Sequence, residues 1–406
     1  MLIAHLYGAR AGDTVRVHAA AGASIVARVT AVENRRVVLA PAGDVDGVAA
    51  GDRVEADPSV AQAILGCVLL GRAIGGDGAV LDGGVPPWGR RHELMPAIVA
   101  PGERRPVRRP FWTGVRAIDG MLTFGRGARV GVFGQAGAGK SQLLATIAAG
   151  SRADATVVAL IGERGREAEH RLRGMDARTT LVCATSDRSA AERLRAAEFA
   201  FAQADALRSR GLHVLLIVDS LARIAAAARD LAIADGEPLG RGGLPPSVVA
   251  RQAQLLERAG AVGTGSVTLL ATVLAEGPLE HDPIAGAALA ALDGHIVLSA
   301  RLAQQGWFPA IDIGASASRT FGDVASSVHR RAAARVRAAL AALEASREAR
   351  SLGLDPAAGD PFLARAVAGE ARIGAFLQQD AVPAPPAETL MRLIGLADTL
   401  DNGPVR

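Results

Sequence analysis

The chain has 406 residues, of which 50% are hydrophobic, 21% charged and only 3% aromatic, with a formal net charge of +4. That length exceeds one compact core and suggests two or three domains, while so slight a charge and so few aromatics give no argument for nucleic-acid binding. No apolar run approaches the roughly 20 residues that cross a bilayer, and the first residues lack the charged, apolar and cleavage segments of a signal peptide, so a cytosolic protein is expected. Its two cysteines, Cys67 and Cys183, have no metal-ligand spacing and read as buried thiols of a reducing compartment.

Residues 1–57 read as short strands broken by glycine turns. Segments 14–18, 24–30 and 36–39 alternate or carry β-branched residues, and Gly8, Gly12, Gly22 and Gly43 punctuate them. Several short strands at close spacing suggest a small barrel. From 58 to 322 strands alternate with helical stretches, the pattern of a parallel α/β sheet. The strand candidates are 130–133, 156–161, 212–218, 266–274 and 295–298. Polar residues follow three of them: a glycine-rich loop after 133, Gly162-Glu163-Arg164 after 161, and Asp219-Ser220 after 218. Ligands of open α/β sheets bind outside the carboxyl ends of strands, so one crevice is expected to collect all three. From 323 to 406 the chain turns alanine- and arginine-rich. Val336, Leu340 and Leu343 fall at helical spacing within 328–350, and 362–367, 373–377 and 390–396 follow, separated by Asp360-Pro361 and the prolines of 383–386. This part reads as a small helical domain.

One lysine occurs in the whole chain; by subtraction from 45 basic residues, the other 44 are arginine. That lysine, Lys140, sits in Gly134-Gln135-Ala136-Gly137-Ala138-Gly139-Lys140-Ser141. A chain that uses arginine everywhere else keeps a compact ammonium where a guanidinium has no room. A phosphate-binding loop sets that requirement: its glycines bring backbone N–H groups to the phosphates, its lysine reaches the β/γ oxygens and its hydroxyl is offered to Mg²⁺. The apolar strand before Gly134 and the helix-compatible run from Gln142 onward supply the expected context, with a helix N-terminus at the phosphates. The chain therefore binds a nucleoside triphosphate.

Two carboxylates allow two readings each. Asp219, at the end of an apolar run, suits a Walker B acid that holds Mg²⁺ through its water shell, or an ordinary helix N-cap. Glu163 suits the carboxylate that orients or deprotonates an attacking water, or a member of a solvated charge cluster, since charged residues crowd 163–167.

The stretch Ile161-Gly162-Glu163-Arg164-Gly165-Arg166-Glu167 resembles the catalytic-glutamate motif of type III secretion export ATPases, relatives of rotary ATP synthase catalytic subunits. Further segments are similar to that family: Thr113-Gly114-Val115-Arg116-Ala117-Ile118-Asp119, Asp219-Ser220-Leu221-Ala222-Arg223, Leu255-Leu256-Glu257-Arg258-Ala259-Gly260, Leu292-Asp293-Gly294-His295-Ile296 and Phe308-Pro309-Ala310-Ile311-Asp312. They run in family order over most of 60–380. The resemblance implies a RecA-like P-loop NTPase core (58–322), a small N-terminal β-barrel (1–57) and a helical C-terminal domain (323–406). It implies ATP and Mg²⁺ as ligands, bound by Gly134 to Gln142. In this reading Lys140 lies on the phosphates, Ser141 and Asp219 on the metal, and Glu163 is the general base with Arg164 beside it. Arg319 matches an arginine finger that reaches a neighbouring subunit's site. Phe308 matches the aromatic that stacks on adenine, with a core phenylalanine as the other reading.

As partners the resemblance implies a homohexamer, a stator-like regulator, a central stalk, chaperone–substrate complexes and an export gate, with peripheral attachment to the inner membrane and no nucleic acid. Some positions depart from the family pattern. The first strands of its barrel and the helix that contacts the regulator are expected to be missing, through either a misplaced start or a different docking mode. Gly286 and Leu289 stand where relatives carry an acid and an arginine, so both members of a possible pair change together. Gln142 replaces the usual Thr or Val.

Three other functions fit part of the pattern. A rotary proton-translocating ATPase shares the core motifs, but the Gly165-Arg166-Glu167 and 294–298 contexts are of the secretion type. A hexameric RNA translocase needs exposed aromatics near its N-terminus, and residues 1–57 hold only Tyr7. A ring subunit that binds nucleotide without hydrolysing it would have no need of Lys140, Glu163, Asp219 and Arg319 together. Within the secretion family, 312–319 and the short N-terminus favour an injectisome over a flagellum.

Overall fold

The computed structural model describes residues 2–402 except positions 21, 23, 34, 42–44, 58–60, 98 and 275–280. The chain forms two compact units, one made of Met1–Arg105, Asp154–Val273 and Gly277–Ala291, the other of Pro106–Ala153, Leu274–Glu276 and Leu292–Arg406.

The first unit opens with a five-stranded antiparallel sheet, in the order Leu2–His5, Arg36–Pro41, Ser24–Glu33, Thr14–His18, Arg53–Ala56. Alternation sends Val15, Val17, Ile25, Ala27, Val29, Val37 and Leu39 to one buried face. Gly8, Gly12 and Gly22 have positive φ, which L side chains adopt only at a cost, so the punctuation read from sequence marks real turns. Gly43 lies outside the described residues.

The same unit holds a run of parallel strands in the order Gly265–Leu274, His213–Asp219, Ala155–Ile161, Thr179–Ala184, Ala73–Gly75. Every residue of Ala155–Ile161 and His213–Asp219 is buried, as parallel strands covered on both faces require, and that is why they read as unbroken apolar runs. Helix Ala190–Arg208 starts at a capping box in which Ser189 and Glu192 satisfy each other's backbone amides.

In the second unit Ile311–Ser318 pairs antiparallel with Gly294–Leu298, which pairs parallel with Arg129–Gly134. Its helices Ser327–Ser351, Pro361–Leu377 and Pro386–Asn402 bury Val336, Leu343, Ile373, Phe376, Leu393 and Leu400. The segments 362–367 and 373–377, separate on the sequence, are one helix, started by Pro361 and by an Asp360 carboxylate that accepts from the Phe362 and Leu363 amides. Arg337 donates from its guanidinium to the Ile313 (3.0 Å) and Met121 (2.6 Å) carbonyls.

Among the described residues no helix is long and apolar enough to cross a membrane. One sequence expectation needs correction: Cys183 is buried, but Cys67 is exposed, because it begins a surface 3₁₀ turn, Cys67–Leu69, whose only buried residue is Leu69.

Candidate active site

Strand Arg129–Gly134, buried from Val130 onward, delivers the chain to the phosphate loop. Gly137 and Gly139 have φ of +79° and +88°, a left-handed backbone that glycine adopts without strain. Gly139 is the N-cap of helix Lys140–Gly150 and brings no capping side chain, and the first turn carries no acid. A helix N-terminus with neither a capping side chain nor an acid, and with the positive end of its dipole, suits an anion. Lys140 turns back over the loop, donating from Nζ to the carbonyls of Gly134 (2.7 Å) and Gln135 (2.8 Å). Gln135, Ala136, Gly137, Ser141 and Gln142 are exposed, whereas Ala138, Leu143 and Leu144 are buried and fasten the loop and helix to the unit.

A cleft opens beside this loop, lined among others by Ala138, Gly139, Gln142, Thr146, Phe308 and Gln379. Phe308 is 38% exposed, and a methyl placed on Gly139 would meet its ring edge at 3.6 Å. Gln379, which sequence reasoning missed, is fully engaged. Its Nε2 donates to the Gly114 and Val382 carbonyls, both at 2.7 Å, and its Oε1 accepts from the Arg116 amide at 2.9 Å. The Thr113–Asp119 turn behind it is fixed by the Asp119 carboxylate, which accepts from the Thr113 amide (2.8 Å), the Thr113 hydroxyl (2.7 Å) and the Gly114 amide (2.9 Å). Burial pushes the Asp119 carboxyl up to about 7 against the pull of those donors.

The other unit carries the carboxylates. Strand Ala155–Ile161 leads into Gly162, whose φ is +71° and whose amide donates to the Ala184 carbonyl at 2.7 Å. This turn holds Glu163 half-buried, and the Ser186 amide donates to the Glu163 carbonyl at 3.0 Å. Arg223 points its Nε at Glu163 Oε1, 4.0 Å away. Arg164 is exposed and is the N-cap of helix Gly165–Arg173. Asp219 closes its buried strand at 8% exposure. Its side chain caps no helix: the N-cap of Leu221–Ala234 is Ser220, and Asp219 Oδ1 instead accepts from the Thr272 hydroxyl at 2.6 Å. The sequence had singled out neither Arg223 for this contact nor Thr272 at all.

The structure thus gathers Gly134 to Gln142 with Phe308 in one unit, and Glu163, Arg164 and Asp219 in the other. Arg319 does not line the cleft beside Phe308; it follows strand Ile311–Ser318 with its side chain exposed, its amide donating to the Asp293 carbonyl at 2.9 Å.

Residues 114–318 match the ATP synthase alpha/beta family, nucleotide-binding domain. The chain is 43% identical to the type 3 secretion system ATPase of Pseudomonas syringae pv. syringae over 420 residues, covering 98% of this chain and 92% of that protein. It is 41% identical to the flagellum-specific ATP synthase of Pseudomonas aeruginosa over 366 residues, covering 87% and 80%. Among solved structures, the assembled ATPase EscN from the type III secretion system of enteropathogenic E. coli superposes with a TM-score of 0.92 at 38% identity, covering 97% of both chains. EscN in complex with its central stalk EscO gives 0.90, also at 38% and 97% of both. The mixed α/β core, the phosphate loop and near-full-length identity above 40% lead to one assignment: this chain is an ATPase that belongs to the ATP synthase alpha/beta family and, within it, to the type 3 secretion system ATPases.

Proposed function

We propose that the chain is the Mg²⁺-dependent ATPase of an injectisome, working as a homohexameric ring whose turnover releases chaperones from export substrates and helps unfold them. Near-full-length likeness to the assembled EscN, together with its stalk-bound form, is the observation that carries this reading. In it residues 1–57, 58–322 and 323–406 serve as N-terminal, ATPase and helical parts. The partners are a central stalk, a stator-like regulator, chaperone–substrate complexes and an export gate, with the ring cytoplasmic and peripheral to the inner membrane. A flagellar role is the second reading; a relative of that name aligns at 41%, but over less of both proteins than the secretion relative.

The chemistry follows from the residues. The loop amides of 134–141 and the Lys140 ammonium would bind the β/γ phosphates, and Phe308 would stack on adenine beside Gln142. Glu163 would take a proton from the water whose oxygen attacks the γ-phosphorus, while the bond to the bridging oxygen breaks and ADP leaves. Arg164 would stand beside the γ-phosphate. Arg319 would complete the site of a neighbouring copy and stabilise charge in its transition state. The Ser141 hydroxyl and the Asp219 carboxylate are hard oxygen donors that fit Mg²⁺; the ion would neutralise charge on the β/γ oxygens.

Glu163→Gln tests the assignment. It should leave binding of a fluorescent ATP analogue within about twofold and lower steady-state hydrolysis by about a hundredfold or more. Hydrolysis at the wild-type rate would remove Glu163 from the mechanism.

A further inference from the structure

Thr272 is a fully buried hydroxyl in an otherwise apolar stretch: Leu270, Ala271, Thr272 and Val273 are all at 0% exposure. Valine has almost the same shape and would bury there without a polar atom, so the hydroxyl calls for a reason. The strand register supplies one. Gly265–Leu274 runs parallel to His213–Asp219 with Val218 opposite Ala271, which brings the next residues of both strands, Asp219 and Thr272, together at the strand ends. Thr272 Oγ1 lies 2.6 Å from Asp219 Oδ1 and 3.4 Å from the Val218 carbonyl. A hydroxyl has one proton to give, and the short contact takes it. Among the described residues this is the only protein hydrogen bond that the Asp219 carboxylate receives.

We infer that Thr272 is a positioning residue for the reaction: by binding Oδ1 it fixes the rotation of the Asp219 carboxylate and leaves Oδ2 to face the metal–nucleotide complex. The inference rests on the proposed role of Asp219 toward Mg²⁺. A carboxylate held by one buried donor loses little orientational freedom when it engages a hydrated ion; a carboxylate without it must be ordered at that moment, which weakens binding. Removing the donor also leaves Oδ1 buried and unsatisfied.

The test uses Mn²⁺ as a paramagnetic probe of the metal position, titrated by electron paramagnetic resonance into the full chain saturated with a non-hydrolysable ATP analogue. Thr272→Val should weaken Mn²⁺ binding about tenfold, as expected for one hydrogen bond to a charged group, while nucleotide affinity in EDTA stays at the wild-type value. Thr272→Ser, which keeps the hydroxyl, should bind Mn²⁺ within about threefold of wild type. Asp219→Asn separates the two layers of the argument. If Asp219→Asn weakens Mn²⁺ and Thr272→Val does not, Thr272 has no positioning role and the reading of Asp219 stands. Wild-type Mn²⁺ binding by Asp219→Asn overturns that reading, and the inference with it. Equal weakening in the valine and serine variants would assign the effect to packing and also overturn the inference. Should the valine variant not fold, Thr272→Ala against Thr272→Ser, which differ only in the hydroxyl, gives the same comparison.

Discussion

Arg223 Nε lies 4.0 Å from Glu163 Oε1, on the helix that follows Asp219. One strand end thus carries the proposed metal-side acid and, four residues on, the cation that faces the proposed base. The glycine at 162 makes room for it: a Cβ there would meet the Arg223 Cβ at 3.2 Å. Half of the Arg223 side chain is exposed, so its contribution to folding is small. Its effect should appear in turnover.

Arg223→Ala should lower kcat by about ten- to a hundredfold with little change in thermal midpoint, since removal of one fixed cation from a charged site costs rate rather than stability. Arg223→Lys should keep more of the rate. Steady-state kinetics beside a melting curve measure both, and an alanine variant with wild-type kcat would show that the contact has no catalytic consequence.

Arg319 gives a prediction about assembly. Arg319→Ala and Glu163→Gln should each lose activity, the first by about 10³-fold or more. Co-assembled in equal amounts, they should regain turnover, because roughly a quarter of randomly formed interfaces pair an intact Glu163 with an intact Arg319. A mixture no more active than its components would place Arg319 outside the neighbour's site.

Asp119 makes stability depend on pH. Its folded carboxyl titrates at about 7, above the roughly 3.9 of an unfolded chain, so folding takes up a proton between those values. The stabilisation is complete below about pH 4, is lost as pH rises through 7, and is level beyond. Relative to Asp119→Asn, the wild type should lose about 2 kcal/mol between pH 5 and 7, with a slope that approaches about 1.4 kcal/mol per pH unit near pH 5 and halves at 7. Denaturant melts of both proteins from pH 5 to 8 read this, and a difference independent of pH would contradict it.

The cysteines should separate under a thiol-reactive dye. Cys67 is exposed and should label within minutes, whereas Cys183 is buried with its thiol pushed up to about 11, so little thiolate is present at neutral pH. One equivalent native and two in denaturant is the expected count; two fast equivalents in the native protein would contradict the burial of Cys183.

Legibility in the sequence followed the range of each interaction. The glycine-rich turn between strand and helix could be read because its contacts are local: Lys140 meets carbonyls only five and six residues away. Strands buried on both faces announced themselves as apolar runs, although Thr179–Ala184 passed unnoticed among short apolar stretches. Helix Pro361–Leu377 read as two pieces because alanines, glycines and Arg365 dilute its apolar period. Contacts across the chain left no trace. Gln379 is tied to Arg116 from 263 residues away, and Thr272 to Asp219 from 53, and nothing in a single sequence pairs such positions.

The pinning of Lys140 by its own loop also has a practical side. Because this is the sole lysine, acylating reagents have one side-chain amine to attack, and it is half-buried and already hydrogen-bonded. Aldehyde and succinimidyl fixatives, which join surface amines, have nothing to bridge between copies beyond the chain's amino terminus. Trapping an oligomer for imaging will call for carboxylate or thiol chemistry, and if Lys140 holds the phosphates as proposed, slow acylation of that single amine should be blocked by bound nucleotide and so gauge occupancy.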